Sequence, residues 1–113
     1  MYEYNARVTK VVDGDTIDCD VDLGFYMTAN IRFRLARINT PEVRGAEKVA
    51  GKAAKQWLID LLNKHDNKIR VGTSKTGKYG RWIADIIIDD EIDTLIVNDE
   101  LVKAGHAEYT DYD

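Results

Sequence analysis

The stretch TIDCDVDL, residues 16–23, alternates strictly between apolar and acidic side chains. Ile17, Cys19, Val21 and Leu23 fall on one side, and Asp18, Asp20 and Asp22 on the other. That period of two belongs to a strand with one face in a core and one in water. Its neighbours are suited to pair with it. Residues 5–12, NARVTKVV, form a first strand, and DGD makes the turn between the two. A third strand runs from about Met27 to Ile38, with Met27, Ala29, Ile31, Phe33 and Leu35 inward and Arg32 and Arg34 outward. At Arg37 an arginine stands where an apolar residue is due, and Ile38 takes the apolar role. Such a phase slip marks a bulge or a strand's end, and irregularities of this kind are often found beside active sites.

The rest of the chain changes period. Residues 46–64 predict the main helix, with Val49, Ala50, Ala53, Trp57, Leu58, Leu61 and Leu62 on one face. KIRVGT (68–73) is a short strand, SKTGKYG a loop, and Arg81–Asp89 an isoleucine-rich strand. VNDELVKAGHA makes a second, short helix, with Asn98 as N-cap, Asp99 and Glu100 in the first turn and Gly105 as the stop. His65 and His106 fall at helix ends and read as structural or solvated, and EYTDYD reads as loose. The order β-β-β-α-β-β-α predicts an α+β, mainly β fold. It is a five-stranded Greek-key barrel of the OB type with two helices packed on it. The expected organisation is one domain over 1–113, its core at about 5–109 and a loose tail at 110–113.

Composition limits the partners. The single cysteine, Cys19, excludes an internal disulfide and fits a reducing compartment, and its place in the alternation makes it a small buried hydrophobe. No apolar run reaches membrane-spanning length, and MYEYNARVTK lacks a signal-peptide core. The expectation is a cytoplasmic monomer, or a secreted one if a signal has been removed. A net charge of −4 counts against a nucleic-acid partner, yet Arg32, Arg34, Arg37 and Arg44 crowd one region, and Lys75, Lys78 and Arg81 another.

Four segments carry polar residues that the fold does not require. Each has a plain structural explanation. DGDT (13–16) is a hairpin turn, Arg34 an outward strand residue, NTPE (39–42) a strand end, and KYGR (78–81) a glycine turn with basic flanks. Together they suit one chemistry. Asp15, the Asn39 side-chain oxygen and a nearby carbonyl are hard oxygen donors for Ca2+ or Mg2+. Arg34 and Arg81 could clamp a phosphoryl group with their planar forks. Glu42, on a turn stiffened by Pro41, could polarise a water for attack on phosphorus.

VVDGDTI, FRLARINTPE, KYGRWIADI and VNDELVKAGHA, in this order and spacing, resemble the staphylococcal-nuclease (thermonuclease) family over roughly residues 5–109. The resemblance implies a Ca2+-dependent nuclease of DNA or RNA that leaves 3′-phosphate ends. It implies Ca2+ on Asp15, Asn39 and the Thr40 carbonyl, with Asp13 holding a metal-bound water. It places Arg34 on the scissile phosphate, Glu42 as general base or water-orienting group, and Arg81 on the transition state or leaving group. Lys78 and Tyr79 would touch a terminal phosphate of the bound nucleotide. Two departures stand out. The family's best-known member has aspartate at the position of Asn39, which predicts weaker Ca2+ binding here. That member also continues into a third helix, so this is a short form in which Tyr109 or Tyr112 would have to supply any tyrosine near a base. The competing expectation is a non-catalytic OB-type module that binds nucleic acid or protein. Exposed aromatics on the barrel would favour it, and Trp57 and Trp82 give no clear sign of that from sequence. A purely structural Ca2+-binding domain is a third reading, but it leaves Arg34 and Arg81 unexplained.

Overall fold

The computed structural model describes residues 2–76 and 81–110, the side chains of 74–76 excepted. The elements are β1 (Tyr2–Asp13), β2 (Thr16–Gly24), β3 (Met27–Leu35), β4 (Ile38–Asn39), α1 (Lys48–Lys64), β5 (Lys68–Thr76), β6 (Trp82–Asp89), β7 (Thr94–Ile96), α2 (Val97–Lys103) and β8 (Glu108–Tyr109). A 3-10 turn, Gly45–Glu47, leads into α1. The long β1 pairs antiparallel with β2 along one edge and with β5 along the other. Register shifts between Val8 and Lys10 and between Val11 and Asp13 bend it, as an extra residue on one strand does. The sheet runs β3-β2-β1-β5-β6-β7, and a parallel pairing of β3 with β6 closes its first five strands into the predicted five-stranded barrel. Closure uses three pairs, Phe33↔Trp82, Arg34↔Ile83 and Leu35↔Ala84.

The alternation in β2 has the expected consequence. Ile17, Cys19 and Val21 are buried among Phe33, Leu35, Val71, Ile86 and Ile88, with Leu58 and Leu62 of α1 and Leu101 of α2 in the same cluster. Each large aliphatic side chain contributes about 1.5–3 kcal/mol by leaving water. The pattern fails at the hairpin tip, where Leu23 and Met27, expected inward, are exposed beyond the end of the core. Phe25 and Tyr26 close that hairpin with φ of 54° and 59°, after Gly24 at 83°.

Cys19 is fully buried, and burial, with Asp18 and Asp20 adding to it, pushes its thiol up to about 12. The thiolate is the reactive form, so the native thiol is inert. Native protein is expected to resist maleimide at pH 8 and to label at once in urea, as mass spectrometry would record. Rapid labelling without denaturant would contradict this burial.

Three further expectations need correction. The buried face of α1 is Gly51, Ala54, Leu58 and Leu62, whereas Val49 is 82% exposed and Ala50 and Ala53 are also exposed. Asn98 does not cap α2: Ile96 holds that position without a side-chain bond, and Asn98 is completely buried. Its amide donates to the carbonyls of Ala36 (2.9 Å) and Ala84 (3.2 Å), and its oxygen accepts from Ile86 N–H (2.9 Å). It thereby ties α2 to β6 and to the turn after β3. Finally, Glu108 and Tyr109 are not loose but pair as β8 with β4. Among the described residues no helix is long and apolar enough to cross a membrane.

Candidate phosphodiesterase site

The site is built where the β1–β2 turn, the end of β3 and β4 meet. Gly14 allows the approach: a Cβ there would lie 3.0 Å from both Ala54 Cβ and Thr40 Oγ1. The next residue, Asp15, is buried, and its carbonyl accepts from Leu35 N–H at 2.8 Å. Thr40 N–H donates to Asp15 Oδ2 (3.0 Å) and Thr16 Oγ1 donates to Oδ1 (3.2 Å). Asp13, half-buried, accepts from Asp15 N–H at 3.3 Å. Its own burial, then the hydrogen bond and charge of Asp15, push its carboxyl up to about 6.

Arg34 is 9% exposed, not the outward solvated residue its strand position suggested. Its Nη1 lies 2.8 Å from Asp15 Oδ2, and its Nη2 donates to Asn39 Oδ1 at 3.1 Å. Burial lowers the guanidinium's pKa; the positive charge of Arg81 acts the same way, against Asp15. The guanidinium stays protonated nonetheless.

Asn39 reaches Arg34 because the chain reverses between them. After Leu35 the backbone enters a turn in which Arg37 has φ of 68°, a conformation costly for a residue with a Cβ. Arg37 is held there by ion pairs to Asp85 (2.8 Å) and Asp99 (3.0 Å), and Tyr109 donates to Asp99 (2.9 Å). The phase slip in the sequence is thus a strand's end with a left-handed residue after it. Arg32 is likewise ion-paired, with Asp18 at 2.7 Å, so much of the predicted basic patch is neutralised in place.

The structure therefore joins Asp13, Asp15, Arg34, Asn39 and Thr40 in one network, and Arg81, exposed, lines the same cavity as Arg34. Glu42 is exposed on the turn that follows Thr40 and Pro41. Lys78 and Tyr79 lie outside the described residues. Sequence reasoning missed Gly51. Its Cα packs on that turn so closely that a Cβ would lie 1.9 Å from the Glu42 carbonyl oxygen and 2.7 Å from Val43 N. The only signal was a glycine inside a helical pattern.

The donors suit a hard cation. Asp15 and Asn39 both direct oxygens at one guanidinium, itself a cation, and buried Thr40 Oγ1 has no hydrogen-bond partner among the described residues. Among the described residues no three His, Cys, Asp or Glu converge as a metal site. A divalent ion would therefore depend on the Asn39 amide, carbonyls and water beside the carboxylate, which suits Ca2+ and not zinc.

The profile of the staphylococcal nuclease homologue family matches residues 32–113. The chain is similar to endonuclease YhcR of Bacillus subtilis, 31% identical over 93% of this chain and 9% of that protein. It is also similar to a micrococcal nuclease of Shigella flexneri, 32% identical over 72% of this chain and 41% of that protein. An uncharacterised protein of Methanocaldococcus jannaschii is 27% identical over 92% of this chain and 58% of its own length. In each case the match spans less than two thirds of the relative. On the extent of the profile match, this chain belongs to the staphylococcal nuclease homologue family.

Proposed function

We propose that the chain is a Ca2+-dependent nuclease that hydrolyses phosphodiester bonds of DNA or RNA and leaves 3′-phosphate ends. The observation that carries this reading is the buried Arg34, fixed by Asp15 and Asn39 and lining a cavity with a second arginine, Arg81. Nuclease names among the relatives support the same reaction class. Asp15, Asn39 and the Thr40 carbonyl would hold Ca2+, with Asp13 beside them for a bound water. The ion supplies Lewis-acid polarisation of the phosphate.

The chain's own residues do the rest. Arg34 and Arg81 bind the phosphate and stabilise the charge that grows on it. Glu42 accepts a proton from water as the water oxygen bonds to phosphorus, in line with the departing 5′ oxygen. The P–O5′ bond breaks, the 5′ oxygen takes a proton from solvent, and the phosphate remains on the 3′ side. Lys78 and Tyr79 would bind a terminal phosphate.

The test is cleavage of single-stranded DNA in millimolar Ca2+, in EGTA, and by Glu42→Gln. Cutting in Ca2+ alone, lost in both controls, is the expected result. Binding without cutting at any Ca2+ concentration would move the assignment to a non-catalytic nucleic-acid-binding module.

Replacing Asn39 by aspartate adds a charge to the donor set, and Ca2+ affinity tracks ligand charge. Asn39→Asp is expected to tighten Ca2+ binding roughly tenfold. Isothermal titration calorimetry measures it, and unchanged affinity would remove Asn39 from the ligand set.

A further inference from the structure

One wall of the cavity shared by Arg34 and Arg81 is aromatic. Trp82 opens β6 directly after Arg81 and pairs with Phe33 across the closing seam, yet 43% of its surface remains exposed. The cavity measures about 530 Å³, within the range of small-ligand sites, and its lining includes Trp82, Ile31, Asn30 and Arg32 besides the two arginines. This wall is braced before any ligand arrives. Arg32 is ion-paired with Asp18, and the Asn30 amide donates to Asp20 at 3.0 Å. The two arginines thus adjoin an exposed indole at the neighbouring position in sequence.

We infer that Trp82 is a stacking platform for the nucleobase next to the scissile phosphate. This rests on the nuclease reading of Arg34 and Arg81. A base reaches the indole only when it is free of its own stack, and every base has a π-face to offer, so the subsite is tolerant of sequence.

Trp57 is the other tryptophan; it packs against the core and the His106 ring, away from this wall. In a Trp57→Phe background all tryptophan emission comes from Trp82. Single-stranded octathymidylate in EGTA is expected to quench it, and an abasic octamer of the same length is not. In Ca2+, Trp82→Ala is expected to raise KM for the thymidylate roughly fivefold or more, the low end for loss of one base stack. Trp82→Phe should restore most of that loss, and KM for the abasic octamer should not change.

Equal effects on both octamers, or none on either, would overturn the subsite. Cleavage without quenching, with KM unaltered in Trp82→Ala, would remove the subsite and leave the nuclease standing. Quenching by the thymidylate alone in a protein that never cuts would keep the subsite and remove the nuclease.

Discussion

Gly51→Ala is expected to destabilise the protein by about 2 kcal/mol and to lower kcat at least tenfold, with KM little changed. The sign is informative because local preference points the other way. In an unconstrained helix interior alanine is better than glycine by roughly 1 kcal/mol. Here the added methyl would lie 1.9 Å from the Glu42 carbonyl oxygen and 2.3 Å from its carbon. Both are backbone atoms and cannot swing aside as a flexible side chain would. Either α1 retreats from the barrel or the Thr40–Glu42 turn shifts, and the second outcome moves the residue assigned to the attacking water. Urea unfolding and steady-state kinetics on the same preparation separate the two. A stabilised, fully active Gly51→Ala protein would show that the helix does not position Glu42.

Arg34→Lys is expected to cost at least roughly a hundredfold in kcat, the loss typical of removing one oriented donor from a developing charge. Lysine keeps the charge but not the fork. At this position one guanidinium reaches the Asp15 carboxylate and the Asn39 amide oxygen at once. An ammonium group cannot span both while also facing a phosphate. Arg81→Lys should show a comparable loss of activity with unchanged stability, because Arg81 is exposed and Arg34 is not. Undiminished cleavage by Arg34→Lys, with thermal unfolding checked alongside, would exclude the fork from the chemistry.

The barrel was legible because its signals are local. Ile17, Cys19 and Val21 state their face by alternation alone, and the slip at Arg37 marked the reversal that brings Asn39 to Arg34. The sequence motifs also named Asp15, Arg34 and Asn39 before the geometry brought them together. What could not be seen depends on contacts between distant segments. Val49, Ala50 and Ala53 have the hydrophobicity of a buried face, but α1 packs through Gly51, Ala54, Leu58 and Leu62, with Gly51 against Glu42, and they meet water. Asn98 has the local look of an N-cap, whereas its partners lie on β6 and in the turn after β3. The burial of Arg34 likewise comes from neighbours that periodicity cannot show, chiefly the β1–β2 turn folding over it.

The short parallel seam between β3 and β6 also sets when the site comes into existence. It joins Phe33 to Trp82, Arg34 to Ile83 and Leu35 to Ala84, residues far apart along the chain. Bringing such segments together carries a loop-closure cost that the local hairpin of β2 and β3 avoids. The hairpin can form early, but Arg34 and Arg81 become neighbours only when the ring shuts. A chain with its ring open keeps Arg34 and Arg81 apart, so under the proposed function it is expected to be chemically silent.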